Sequence, residues 1–196
     1  MKKSITITAL LLQATFISVM LLGVSSCTNN QPEDTKDVAE EHNDAKYNKA
    51  ADEKDAQFLV NAAEINLTEI SLGKLAHEKG TSRHVRDLGK MMHEHHQASL
   101  NDLTALAKSK MVTIPTTITD NGNQAYNNLN DKSGADFDKA YSDMMVAGHK
   151  DAVAIFETAS TDRADDDIKA WAAATLPELR KHLDQSITCQ KLCEKM

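Results

Sequence analysis

Aromatic side chains are scarce in this chain: four Phe, three Tyr and one Trp make up 4% of its 196 residues. Proline occurs three times, glycine seven and cysteine three. With Ala and Leu plentiful, that is the composition of a helical protein. Basic residues are in the minority, 22 Lys and Arg against 29 Asp and Glu, for a formal net charge of −7. An acidic chain with no basic patch lacks the electrostatic footprint of a nucleic-acid binder. It also has no Gly-rich phosphate loop, no dinucleotide fingerprint, and no Ser or Cys nucleophile set beside an obvious base.

Charge is absent altogether from Ile5 to Val24, which follow Met1-Lys2-Lys3 and lead into the small residues Val24-Ser25-Ser26 before Cys27. This is the pattern of an export signal, and Thr6, Thr8, Gln13, Thr15 and Ser18 dilute the run relative to a membrane-spanning helix. Val24-Ser25-Ser26-Cys27 resembles the lipobox of bacterial lipoproteins. The resemblance implies that residues 1–26 are removed and that lipid on the Cys27 sulfur makes a membrane the chain's partner. Thr28 in the next position resembles the sorting pattern of outer-membrane lipoproteins, and Gln31-Pro32-Glu33-Asp34 is similar to a short signal for display at the cell surface. A cell-envelope lipoprotein on either face of the outer membrane is therefore expected. Losing Lys2 and Lys3 with the leader takes the formal charge from −7 to −9.

Residues 28–51 contain almost no bulky apolar side chain apart from Val38 and Tyr47, and are expected to form a flexible tether behind the lipidated Cys27. Residues 52–196 carry regularly spaced apolar positions and suffice for one domain with its own core.

Four long helices are predicted there. The first, about 53–79, has Asp52 as cap, a stripe of Phe58, Ala62, Ile65, Leu72, Leu75 and Ala76, and Gly80 as its stop. The second, about 83–110, is capped by Ser82 and shows Val85, Leu88, Met92, Ser99, Leu103 and Leu106 on one face. So short a turn between them predicts an antiparallel hairpin. A long connection follows, Met111 to Ser133, with Pro115 in a β-branched stretch and a short helix around Tyr126–Leu129. Ser133 and Asp136 resemble a capping box for the third helix, striped with Phe137, Tyr141, Met145, Ala152 and Phe156. Asp162 is expected to cap the fourth, with Ile168, Trp171, Leu179, His182, Ser186, Cys189 and Cys193 on its face and Pro177 inside it. Two hairpins joined by a long connection predict an all-α, ferritin-like four-helix bundle.

Several residues in these stripes are of the wrong chemistry for a core. Glu69 stands where the first stripe calls for Leu, and a buried carboxylate needs a partner. His95 or His96 occupies the second stripe, His149 the third and His182 the fourth. Glu69, His96 and His149 fall near mid-helix, with His182 a turn or more away and Glu178 as its alternate. Each long helix thus offers a metal-competent group to the interior. Met92 and Met145 precede His96 and His149 by four; Met with His suits copper, whereas Glu with His suits iron, manganese or zinc. His93-x-x-His96 has the spacing of the di-iron Glu-x-x-His element with His in place of Glu, a departure from that pattern. The primary candidates are Glu69, His96, His149 and His182. The secondary ones are His93, His95, Met92, Met145 and Glu178. A metal-free reading also fits the sequence, with Glu69 and the histidines in a buried hydrogen-bonded network and the methionines as packing. With Cys27 lipidated, Cys189 and Cys193 remain as a candidate disulfide, strained at i, i+4 on a helix.

Four ordered motifs are Glu69-Ile70-x2-Gly73-Lys74-Leu75-Ala76, Met92-x3-His96, Phe137-Asp138-x2-Tyr141-x3-Met145-x3-His149 and Leu176-Pro177-x-Leu179-x2-His182-Leu183. Together they resemble the exported bacterial family called domain of unknown function 4142. That resemblance implies a ferritin-like helical fold in the envelope and carries no established activity. Members commonly have Asp before the second-helix histidine, where this chain has His95. Two functions are expected in competition: an envelope bundle that binds a transition metal (Fe, Cu, Mn or Zn) for storage, sensing or stress protection, and a metal-free structural or partner-binding lipoprotein. No arrangement of residues favours an enzyme.

Overall fold

The computed structural model describes residues 33–195. The expected export signal and the candidate lipidation site Cys27 lie outside the described residues. Six helices are present: α1 (Thr35–Lys46), α2 (Ala50–Lys79), α3 (Arg83–Lys110), α4 (Asp120–Asn130), α5 (Gly134–Asp162) and α6 (Asp166–Cys193). Among the described residues no helix is long and apolar enough to cross a membrane.

The four long helices form the expected all-α bundle. Short turns pair α2 with α3 and α5 with α6 as antiparallel hairpins. The C-terminus of α3 lies at the α5–α6 turn, where Lys110 pairs with Asp165 at 2.7 Å. The N-terminus of α5 lies at the opposite end, where Asp138 accepts hydrogen bonds from the Thr81 and Ser82 N–H groups of the α2–α3 turn at 2.8 and 2.7 Å. Residues 111–133 therefore travel the length of the bundle, with α4 laid along α2. The order is up, down, down, up, the single-crossover arrangement of ferritin-like bundles.

The ends are closed reciprocally. Asp138 of the second hairpin holds the turn of the first. Asp55 of the first accepts from the Ala164 and Asp165 N–H groups of the second, at 3.2 and 2.8 Å. Both carboxylates are buried, so each satisfies backbone donors that would otherwise be orphaned. Along α2 and α3 the backbones come close at Gly73 and Gly89. A Cβ on Gly73 would stand 2.7 Å from the Gly89 carbonyl oxygen, and one on Gly89 would stand 2.7 Å from that of Gly73.

Two apolar clusters fill the interior. One, toward the α5–α6 turn, contains Phe58, Leu59, Leu103, Phe156, Ile168 and Leu179. The other, toward the α2–α3 turn, contains Leu72, Val85, Met92, Phe137, Tyr141 and Met145. A polar layer separates them.

Local expectations are corrected in four places. The stretch 28–51 is not a tether throughout, because Thr35–Lys46 is helical. Its N-cap Asp34 accepts from Lys36 N–H at 2.8 Å, Ala39 is buried, and Asn43 exchanges two hydrogen bonds with the Thr113 backbone at 2.8 and 2.9 Å. Polar pins onto the connection hold this helix in place of bulky apolar residues. Second, α2 begins at Ala50, with Lys49 rather than Asp52 at the N-cap position and no side-chain cap bond. Third, Asp165 caps α6 by accepting from the Asp167 and Ile168 N–H groups, whereas Asp162 ends α5. Fourth, Ser133 occupies the N-cap position of α5 without a side-chain cap bond, so the capping box does not form. Ser82 does cap α3, through Val85 N–H at 3.1 Å. Pro177 lies within an α6 that continues past it; the carbonyl of Ala173, which Pro177 cannot serve, belongs to an exposed residue open to water.

Candidate metal centre

The polar layer is where the four long helices cross mid-height, and it draws one or more residues from each. Helix α2 supplies Asn66 and Glu69, α3 supplies His96, α5 supplies His149 and α6 supplies His182, all of them buried. One nitrogen from each of His96, His149 and His182 lies within 4.8 Å of the others. The ring centroids of these three are 5.2–5.5 Å apart in every pairing.

Hydrogen bonds fix which nitrogen of each ring carries its proton. Asn66 donates through Nδ2 to the Ala62 carbonyl at 2.8 Å, which orients the amide and leaves Oδ1 to accept from His96 Nδ1 at 2.9 Å. His149 Nδ1 donates to the Met145 carbonyl at 2.9 Å. In the neutral imidazole the other nitrogen is then a bare lone pair, so Nε2 of both rings is an acceptor. These two Nε2 atoms face each other 3.4 Å apart with no proton between them. His182 Nε2 donates to Glu178 Oε1 at 3.1 Å, and its Nδ1 is buried without a partner. All three rings are thus held in the manner of metal-ligating histidines, one nitrogen tied to an oxygen and the other free.

Burial keeps the rings neutral. Desolvation, and then the neighbouring His149, His182 and His95, hold the His96 pKa well below the ordinary imidazole range. His149 is lowered by burial, against the opposing effect of the Met145 carbonyl. His182 is pushed down to about 4 by burial and His149, against the pull of Glu178. Glu69 moves the other way: burial lifts its carboxyl from 4.5 to about 8. Its Oε1 stands 4.0 Å from His149 Nδ1 and its Oε2 has no hydrogen-bond partner. The Tyr141 hydroxyl is also unpartnered, and burial together with Glu69 raises its pKa well above the usual phenol value.

This donor set fits a metal ion. A tetrahedral ion with metal–nitrogen bonds of about 2.0–2.1 Å spaces its ligand atoms about 3.3–3.4 Å apart. The His96–His149 separation already has that value. Three imidazoles make a donor set for a single ion, with the Glu69 carboxyl at its margin, whereas the di-iron centres of ferritin-like bundles draw most of their donors from Glu.

Of the primary sequence candidates, His96, His149 and His182 are brought into one donor set, and Glu69 lies beside it, 4.0 Å from the tied Nδ1 of His149. Among the secondary ones, His95 and Glu178 meet at the edge of the layer, His95 Nδ1 to Glu178 Oε1 at 2.6 Å. His93 turns outward and bonds to the Ile70 carbonyl at 3.1 Å. Met92 and Met145 pack in the apolar cluster toward the α2–α3 turn, and Met145 serves the site through its backbone carbonyl alone. Asn66, which orients His96, was not anticipated; its signal was an amide in line with Ala62 and Glu69 on the α2 stripe.

Cys189 and Cys193 are buried free thiols rather than a disulfide. Helix α6 runs unbroken to Cys193, and residues four apart on a helix hold their Cβ atoms about 5–6 Å apart. A disulfide needs about 3.5–4.5 Å. Burial and Cys193 push the Cys189 thiol up to about 12, so neither packing nor charge draws out a thiolate.

No curated protein and no solved structure matches the chain. A family model does, over residues 40–188, a span that holds α2 to α5 whole and every residue of the polar layer. The chain belongs to the family described as Domain of unknown function (DUF4142).

Proposed function

We propose that this protein is an envelope-anchored, ferritin-like bundle that binds one divalent first-row transition ion through His96, His149, His182 and Glu69. Imidazole-rich donors suit Zn2+, Cu2+ or Fe2+ better than Mn2+ or Mg2+. The roles consistent with a closed single-ion site are holding, sensing or sequestering the metal. Anchoring through lipid on Cys27 belongs to the same proposal and rests on Val24-Ser25-Ser26-Cys27.

One observation carries the reading: two bare imidazole nitrogens face each other across 3.4 Å in a layer that also leaves Glu69 Oε2 and His182 Nδ1 unpartnered. In a metal-free network those buried groups would each cost about 1–3 kcal/mol for want of a partner. A cation among the three rings satisfies their free nitrogens at once, and Glu69 reaches it by turning its side chain from the Nδ1 side of His149. Glu69, neutral at pH 7 while desolvated, ionises when an ion supplies the positive charge.

Elemental analysis of the mature protein, purified without a metal-affinity tag, tests this. One equivalent of a transition metal is expected, falling to background in His149→Ala. Background metal in the wild-type protein after incubation with Zn2+, Cu2+ and Fe2+ in turn would overturn it.

A further inference from the structure

The proposed ion has to reach a layer that is closed on nearly every side: His96 is 3% exposed, His149 1% and Glu69 6%. One approach is open. Between α3 and α6 lies a cleft of about 450 Å³ whose lining includes His95, Ser99, Asp102 and Glu178 as well as the inner ligands His96 and His182. Ala98 and Ala174 keep the walls low beside Trp171 and Leu179, and Lys181 at the rim pairs with Glu178 Oε1 at 3.2 Å, a contact that an arriving cation displaces. It runs from solvent to the proposed site.

Where the cleft meets the layer, three donor atoms converge. His95 Nδ1, Glu178 Oε1 and His182 Nε2 stand 2.6, 3.0 and 3.1 Å from one another. Their exposure is graded: the side chains of His95 and Glu178 are 37% and 43% exposed, and that of His182 3%. His182 thus belongs to two donor sets, an outer one with His95 and Glu178 and an inner one with His96 and His149. Glu178 is a charged oxygen donor at the mouth, and Asp102 adds a second acid on the same approach.

We infer that His95, Glu178 and His182 form an outer cation station that captures a divalent transition ion from solvent and passes it to the inner site through the shared His182. This rests on the metal reading above and adds its route. Capture replaces part of the ion's hydration shell with three donors. The protons that His95 Nδ1 and His182 Nε2 give to Glu178 move to the far nitrogens of their rings, and His182 takes its proton back on Nε2 as the ion passes inward to its Nδ1 face. An exchange of ligands at His182 then avoids the step in which a bare ion crosses an apolar wall. The second function of the cluster is kinetic, since a station on the path changes the barrier and leaves the end states alone.

Co2+ added to the metal-free mature protein is the probe, because its visible absorption reports tetrahedral ligation. Stopped-flow uptake and chelator-driven release are measured for the wild type, His95→Ala and Glu178→Gln; Gln keeps an oxygen acceptor for His182 and removes the charge. In His95→Ala, uptake and release are both expected to slow by the same factor, at least tenfold, with the inner dissociation constant unchanged within threefold and one ion still bound. Glu178→Gln is expected to slow uptake at least threefold. His149→Ala should lose the inner spectrum and keep one weak, rapidly exchanging Co2+. Uptake at wild-type speed in both His95→Ala and Glu178→Gln would overturn the route while leaving the inner site intact. A fall in inner affinity without the matched change in both rates would also overturn it, since His95 would then be an inner ligand. No Co2+ bound by the wild type would remove the metal reading and the route together.

Discussion

The middle of the bundle and its two ends are built on opposite rules. At the ends, Phe58, Phe156 and Ile168 on one side and Val85, Phe137 and Tyr141 on the other fill space with apolar side chains. Fully burying one such residue is worth about 1.5–3 kcal/mol, so the ends supply stability. In the middle the same helical positions carry Asn66, Glu69, His96, His149 and His182, each of which must be desolvated. The buried carboxylates of the ends, Asp55 and Asp138, are satisfied by backbone N–H groups, whereas the middle layer leaves Glu69 Oε2 and His182 Nδ1 without partners. A layer that weakens all four long helices at once supports the proposed site, because packing alone would have placed Leu there.

Four measurements break or sharpen this contrast. The largest effect belongs to the ends: Phe156→Ala should lower unfolding free energy by about 3–5 kcal/mol, equally with and without metal, in denaturant melts. A cost that depended on metal would erase the distinction.

Next comes Glu69→Gln. The folded protein holds the Glu69 proton up to about pH 8, whereas the unfolded chain releases it near 4.5. The folded state therefore binds more protons in that window, and the carboxyl's contribution is complete below pH 4.5 and lost as pH rises through about 8. Metal-free Glu69→Gln should escape that loss and be more stable than the wild type by about 3 kcal/mol at pH 7–8, while binding metal more weakly. The histidines work in the opposite direction. His182, with its pKa lowered to about 4 from 6.5, contributes fully above 6.5 and loses its contribution as pH falls toward 4, so acid should destabilise the metal-free bundle in that window.

Third, removing the metal with a chelator should cost the wild type about 3 kcal/mol relative to protein in a hundredfold excess of free metal over the dissociation constant. His149→Ala, left with the weak outer ion alone, should respond far less to the chelator, read as a shift in melting temperature. Smallest is Asp138→Ala, which leaves the Thr81 and Ser82 N–H groups without their acceptor. It should cost about 1–3 kcal/mol in either metal state.

Periodicity was enough to read the four long helices and the crossover, because Phe58, Ala62, Leu72 and Ala76, and their counterparts elsewhere, repeat at steps of three and four. The same count picked out Glu69, His96 and His149. His182 was expected a turn or more away, yet its ring centroid stands 5.2 and 5.3 Å from those of His96 and His149; how far α6 slides along its neighbours is set by tertiary contacts, and its cap is Asp165 rather than Asp162. Helix ends are set by which Asp finds free N–H groups, a tertiary matter that Asp162 and Asp165 do not reveal in sequence. Helix α1 was missed for a related reason: its anchor is Asn43 on the Thr113 backbone, and an amide carries no hydrophobic period. Asn66 escaped because its value lies in its partner, His96.

The crossed aspartates at the two ends bear on how long an ion stays. Asp55 binds amides about 110 residues ahead, and Asp138 binds amides 56 and 57 residues behind. Each hairpin is therefore latched by a side chain that the other owns. Peeling one from the other bares a desolvated carboxylate and two backbone donors at each end simultaneously, so partial opening gains little over complete opening. Spontaneous escape by parting of the hairpins would then be as infrequent as global unfolding, and the protected amides of Thr81, Ser82, Ala164 and Asp165 should exchange with deuterium on that slow clock.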